Sequence, residues 1–317
     1  MNDQSFLLPK LDDFLLHLRA DNFSEKTAYN YERDLNTFQF FLESDIQTPF
    51  DKITKTDILR FKAYLASSDR KTAEKAKSSQ KLGSYSVNRI LSALRSYLKF
   101  LEDFDAHPPL SAQAIKLVKN EKKHAQVPEF EEVIRLIEAP TLYEDDEQVQ
   151  LRNRAMLELL FATGMRISEL LSLKVVQIDQ TGRIYIMGKG KKQRFVYLTP
   201  RAFQHLKNYL AKRNSVSDML FVPYRGKNNL EKNKKLSTNY LQFKIKRYRE
   251  LLSINLPISA HTLRHGFATY LAENGANPAA IQILLGHESL DTTTRYVHAS
   301  DKFAEKTHHD FHPLFDK

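Results

Sequence analysis

Cysteine is absent from all 317 residues. That excludes disulfides and thiolate metal sites, and it fits a reducing compartment, here expected to be the cytoplasm. Long apolar runs are absent as well. Stretches such as Met156–Ala162 are short and contain Glu158, whereas a membrane-crossing helix needs about 20 predominantly apolar residues. The N-terminal stretch MNDQSFLLPKLDDFLL has no basic segment, and acids interrupt its apolar residues, so no signal peptide is expected. There is no internal repeat. Acidic residues are the minority charge: 38 Asp and Glu face 48 Lys and Arg, a formal net charge of +10. With a membrane partner set aside, such a balance favours nucleic acid as the polyanionic partner.

The first hundred residues read as helices. Ser24 is an N-cap candidate, followed by Ala28, Tyr31, Leu35, Phe38 and Leu42 at helical spacing. Thr54 with Asp57 has the form of a capping box ahead of Ile58, Phe61 and Leu65. Ser84 or Ser86 opens a further helix with Ile90, Leu91, Leu94, Tyr97, Leu98 and Leu101 on one face. The expectation is a small helical bundle over 1–106. His107-Pro108-Pro109 breaks the pattern, and 107–127 reads as a linker. From 128 to 317 the pattern is mixed. Arg152 to Leu173 reads as helical. Arg183–Met187 and Arg194–Leu198 are β-rich and are joined by Gly188-Lys-Gly-Lys-Lys192, a hairpin with a cationic tip. After Pro200 the chain returns to helix. Glu144–Glu147 reads as a solvated acidic loop.

Four segments stand out in the second part: ATGMRISELLSL around Arg166, IMGKGKKQR around Lys189, HTLRHGFATYL from His261, and LLGHESLDTTTRYVH ending beyond Tyr296. Taken singly, each residue is ordinary. A lone arginine is usually a solvated charge, a lysine in a turn is common, and Tyr296 is one of 14 tyrosines. Gly188-Lys-Gly-Lys lacks the spacing of a nucleotide-binding loop. His261 and His265 stand at i,i+4, but the glutamate of the zinc-protease motif is missing between them, and Arg264 stands there instead. No metal and no cofactor are expected.

Together and in this order, the four segments resemble the tyrosine recombinase (phage integrase) family, in particular its Xer-type bacterial members. The resemblance implies a mainly α fold with a small β-sheet: an N-terminal helical, SAM-like core-binding domain and a mixed α/β catalytic domain. It implies site-specific cleavage and rejoining of DNA through a 3′-phosphotyrosyl intermediate. Breaking a phosphodiester without losing its energy requires such a covalent intermediate, and Tyr296 is the implied nucleophile. Arg166 and Arg264 are the implied clamps on the phosphate oxygens, a task suited to planar, permanently charged guanidinium groups. Lys189 is the implied general acid for the leaving 5′-oxygen, with Lys191 and Lys192 as rivals. His261 is assigned to deprotonating Tyr296 or bonding the phosphate, and His287 to a nonbridging oxygen. His265 matches a less critical position. Glu169, one turn from Arg166, either holds that arginine or forms a surface pair with it. Ser259 is the expected cap of the His261 helix. Asn277-Pro278 and Gly286 are expected to start and stop the helix before His287.

Lys227, Lys244 and Arg247 lie in a basic tract with Tyr240, Phe243 and Tyr248 interleaved, and Arg89 and Arg95 supply basic residues in the first domain. These five are the candidate DNA contacts. Phe311, Leu314 and Phe315 make the tail apolar. The resemblance implies that it docks on a neighbouring subunit, in a homo- or hetero-tetramer that joins two duplexes at a specific site. Chromosome-dimer resolution and mobile-element integration or excision are the expected settings. Two alternatives stay open at this point: a type IB topoisomerase, and a catalytically silent DNA-binding protein on the same scaffold.

Overall fold

The computed structural model describes residues 6–67, 81–119, 128–187, 193–224 and 235–286. The chain divides into two compact units, Met1–Lys123 and His124–Lys317.

The first unit is helical. It contains α1 (Leu11–Ala20), α2 (Glu25–Phe41), α3 (Lys55–Ala66) and α4 (Ser84–Asp103). The expected caps are present: the Ser24 side chain accepts from the Thr27 N–H, and Thr54 and Asp57 cap each other reciprocally. Ser84 opens α4, behind Gly83 as N-cap. Leu91, Leu94, Tyr97, Leu98 and Leu101 of α4 are fully buried against Leu35, Phe38, Phe41 and Phe61. Burying each such side chain stabilises the unit by roughly 1.5–3 kcal/mol before entropy is counted.

Part of the stretch read as a linker, 107–127, packs on the first unit. Ala112 and Ile115 are buried in this first core, and the Asn88 side chain both donates to the Val118 carbonyl and accepts from its N–H, at 3.0 and 2.8 Å. No helical period marks this stretch, because a single turn of 3-10 helix at Ala112–Ala114, not an amphipathic helix, carries the contact.

The second unit holds α5 (Phe130–Tyr143), α6 (Glu147–Thr163), α7 (Ile167–Leu171), the strands β1 (Arg183–Met187) and β2 (Gln193–Tyr197), α8 (Pro200–Lys212), α9 (Thr238–Leu251), α10 (Ala260–Glu273) and α11 (Pro278–Leu285). Among the described residues the sheet has two strands, antiparallel, with Arg183 opposite Tyr197 and Met187 opposite Gln193. Helix α6 is the central element: Ala155, Met156, Leu157, Leu159 and Leu160 are buried almost all round it. Its weak amphipathic signal follows from burial on most sides, with Arg152, Asn153, Arg154 and Glu158 buried beside the apolar residues.

The helix expected from Arg152 to Leu173 is in fact two. Gly164 adopts φ 60° and ends α6 at Thr163. A left-handed residue satisfies the last helical carbonyls, and glycine adopts it without a Cβ penalty. The chain restarts at α7 with Arg166 as the N-cap residue.

The acidic loop is also different from its expectation. Asp146 caps α6 through the N–H groups of Gln148 and Val149. The Glu144 side chain is only 10% exposed and accepts from Lys244 Nζ at 2.5 Å and from the Tyr248 hydroxyl.

Candidate active site

The site grows from the break between α6 and α7. Because Gly164 turns the chain sharply, Arg166 leaves the end of one buried helix and opens another. Its N–H donates to Glu169 Oε2 at 2.7 Å, and its Nη1 donates to Glu169 Oε1 at 3.0 Å. Glu169 is therefore both the capping residue of α7 and a holder of the Arg166 guanidinium. The guanidinium remains 40% exposed, while the Glu169 side chain is 6% exposed.

Glu169 has a second cation. Arg194, on β2, donates from Nη1 and Nη2 to the two carboxylate oxygens at 3.0 and 2.7 Å, and both side chains are 6% exposed. Burial works to raise the Glu169 pKa, but the hydrogen bonds from Arg194 and the Arg166 N–H, with the charges of both arginines, bring it below its ordinary value. The carboxylate is thus ionised.

Arg264 lies on α10, whose start is fixed by Ser259 accepting from the Thr262 N–H at 3.1 Å. The residue is 4% exposed. Its Nη1 donates to the Gly164 carbonyl and its Nη2 to the Leu285 carbonyl, both at 2.7 Å. Carbonyl oxygens fix the plane of a guanidinium without cancelling its charge. The turn that presents Arg166 and the last residue of α11 are therefore tied through one side chain. Asn277 and Pro278 start α11, and Gly286, at φ 65°, ends it, as expected.

His261 stands one turn before Arg264. Its pKa lies below the ordinary 6.5, first because part of its environment is desolvated and then because the charges of Arg264 and Arg166 oppose protonation. Both arginines thus act on one imidazole. His261 Nε2 and His265 Nε2 are 2.8 Å apart, one donating and the other accepting according to tautomer. Arg166, Arg194 and Arg264 against Glu169 leave this region cationic. Among the described residues no group of three or more His, Cys, Asp or Glu could hold a metal ion.

The Phage integrase family matches residues 129–302, and the Phage integrase N-terminal SAM-like domain matches 11–103. The chain belongs to the phage integrase family. It is a tyrosine recombinase, an enzyme of site-specific DNA strand exchange. Tyrosine recombinase XerD of Oceanobacillus iheyensis is 32% identical over 315 residues, covering 96% of this chain and 98% of that protein. Tyrosine recombinase XerC of Natranaerobius thermophilus is 32% identical over 320 residues, with the same coverage of 96% and 98%. The crystal structure of XerH site-specific recombinase bound to palindromic difH substrate, in a post-cleavage complex, superposes with a TM-score of 0.70 at 22% identity, over 94% of this chain and 83% of that one. That likeness shows the fold, mainly helical with a small sheet.

The recombinase brings together Arg166, His261 and Arg264 of the residues expected at its site. Lys189, His287, Tyr296 and Lys227 lie outside the described residues, as does the apolar tail. Of the remaining candidate DNA contacts, Arg247 is exposed on α9. Three others also bond within the protein, and of these Lys244 alone is buried. Lys244 is 8% exposed and paired with Glu144. Arg89 pairs with Asp34, itself 2% exposed. Arg95 Nε donates to the Ile115 carbonyl at 3.0 Å. Counting charges along the chain did not separate solvated lysines from those turned inward to a carboxylate at distant sequence positions.

Arg194 was missed at the sequence level, where it is one residue of a β-rich run. A signal existed. Arg194 and Val196 occupy the inward positions of β2, and Arg194 stands opposite Ile186. A charge on the apolar side of a period-2 alternation needs a buried partner.

Proposed function

We propose that this recombinase cleaves duplex DNA at a specific site with Tyr296 as nucleophile and rejoins it to a second duplex. The phenolic oxygen attacks the scissile phosphorus. A bond forms between tyrosine and the DNA 3′-phosphate, and the 5′-oxygen leaves. Lys189 gives that oxygen its proton, and Lys191 and Lys192 are the neighbours against which this assignment is to be tested. Arg166 and Arg264 hold the nonbridging oxygens as charge builds in the transition state, His287 bonds one of them, and His261 receives the phenolic proton or bonds the phosphate. Attack by a 5′-hydroxyl of the partner strand reverses these transfers. No metal enters the scheme, since the protein's own cations serve the phosphate.

The observation that supports this reading best is the 2.7 Å bond from Arg264 to the Gly164 carbonyl, which sets Arg264, with His261 one helical turn away on α10, beside the turn that presents Arg166. A neutral imidazole beside two guanidinium groups suits an anionic phosphate and a proton to be accepted.

The near full-length match to proteins called XerC and XerD favours chromosome-dimer resolution as the setting, on chromosomal DNA in the cytoplasm. Integration or excision of a mobile element is the alternative. Four subunits, of one kind or two, join two duplexes, with the tail carrying Phe311, Leu314 and Phe315 docked on a neighbour. Deleting 309–317 is then expected to weaken synapsis, measured as paired-duplex complexes on native gels.

The test is covalent trapping. The full chain is incubated with fragmented chromosomal DNA of its source, denatured, and the DNA that remains attached is sequenced. Recovery of one recurrent site, with no adduct from Tyr296→Phe, is expected. Adduct formation that survives Tyr296→Phe would overturn the assignment.

A further inference from the structure

The hydrogen bonds of Arg194 join three parts of the catalytic unit. The residue sits on β2, at the inward position next to the strand's start at Gln193. Nη1 and Nη2 grip Glu169 at 3.0 and 2.7 Å, and Nε donates to the Leu284 carbonyl at 2.9 Å. Both ends of the fork and its inner nitrogen are therefore used. Glu169 in turn holds Arg166 by side chain and backbone. Leu284 precedes Leu285, whose carbonyl holds Arg264. A Cβ on Gly286 would come within 3.1 Å of Arg194 Cδ and Nη1, so the end of α11 rests directly on this side chain.

We propose that Arg194 is a positioning residue for strand cleavage: it balances Glu169 so that Arg166 stays available to phosphate, and it fixes the α11 terminus on β2. The reasoning is electrostatic. One carboxylate bonded to Arg166 alone cancels most of that arginine's charge and draws it inward. One carboxylate shared between two guanidinium groups leaves a positive surplus, and Arg194, being buried, supplies it without meeting DNA. Lysine cannot replace it, since one ammonium cannot form the parallel pair of bonds and the third bond to Leu284 together.

This inference rests on the assignment of Arg166 to the phosphate. The experiment measures single-turnover formation of the covalent adduct on a nicked duplex bearing the trapped site. It uses the parent chain, Arg194→Ala, Arg194→Lys, Glu169→Gln and the double variant Arg194→Ala with Glu169→Gln. DNA affinity and thermal unfolding are recorded for each.

Arg194→Ala is expected to form adduct on the order of 10²-fold more slowly, the scale of a misplaced catalytic group, with little change in Kd. Arg194→Lys stays slow. The double variant is faster than Arg194→Ala, because neutralising Glu169 releases Arg166. A merely structural ion pair predicts instead that rates follow the folded fraction and that the double variant is no faster than the single. Either of those results overturns the proposal, as does parental cleavage by Arg194→Ala. Should Arg194→Ala not fold, Arg194→Lys decides: parental cleavage by it overturns the proposal. A parent chain that forms no adduct defeats the reading of the site itself, and the inference with it.

Discussion

Arg264 reaches back 100 residues along the chain to donate to the Gly164 carbonyl at 2.7 Å. The same backbone turn that frees Arg166 from α6 therefore orients the second arginine of the site. Substituting Arg264 by Lys keeps a charge but cannot serve Gly164, Leu285 and a phosphate in one plane. The expected outcome is a fall in single-turnover cleavage on the order of 10²–10³-fold, as for loss of one transition-state donor, with DNA affinity changed far less. A Lys variant cleaving at the parental rate would refute the role given to the guanidinium plane.

Gly164 is the second point of sensitivity. Its φ of 60° is strained for any residue with a Cβ, and an added Cβ would stand 2.3 Å from Phe267 Cδ1. Strain and overpacking together predict that Gly164→Ala destabilises the chain by about 2–4 kcal/mol. Urea unfolding of the full chain measures this. Cleavage per folded molecule should fall as well, because the Gly164 carbonyl and Arg166 move together.

Helical segments, their caps and the hairpin were legible because they are local: Ser24, Thr54 with Asp57, Ser259 and Asn277-Pro278 each announce a backbone N–H to be satisfied nearby. The cluster of Arg166, His261 and Arg264 was legible from its motifs. What stayed hidden depends on contacts between distant residues. Nothing near Glu144 shows that Lys244 will meet it. Nothing near Ile115 shows that Arg95 will hold its carbonyl. Arg194 had a local sign, a charge on the inward side of a strand, but its partner Glu169 stands 25 residues away.

His261 gives a prediction in pH. Its pKa in the folded protein is lowered below the ordinary 6.5, so the neutral imidazole persists below that value. The acid limb of cleavage at subsaturating DNA is expected below pH 6.5, and His261→Asn should remove it. The sign for stability agrees. The unfolded chain takes up a proton on this imidazole before the folded one does, so its contribution is present above 6.5 and diminishes as pH falls through that value towards the folded pKa. An acid limb centred above 6.5 in the free enzyme would contradict the arrangement of Arg166 and Arg264 around the ring.

Lys244 and Arg247 are three positions apart on α9, yet they should behave oppositely. Lys244 is buried against Glu144, whose pKa lies below the ordinary 4.5: burial works to raise it, and hydrogen bonds from Lys244 and Tyr248 with nearby positive charge outweigh that. The stabilisation from this carboxylate is present above 4.5 and is lost as pH falls through the folded value. Lys244→Ala leaves Glu144 without its cation and should destabilise the chain by about 3 kcal/mol at neutral pH, the low end for breaking a buried pair. The difference from the parent should shrink in acid, where Glu144 is protonated in both. It should leave the salt dependence of DNA binding unchanged. Arg247 is exposed, and its contact with a phosphate releases counterions. Arg247→Ala should therefore cost far less stability than Lys244→Ala, since its charge acts on Glu144 more weakly than the Lys244 bond and charge do, and it should reduce the slope of log K against log salt by about 0.9. Binding isotherms at several salt concentrations, set beside urea unfolding of both variants, separate the two roles. A reduced slope for Lys244→Ala, with unfolding unchanged, would show that its ammonium serves DNA and not Glu144.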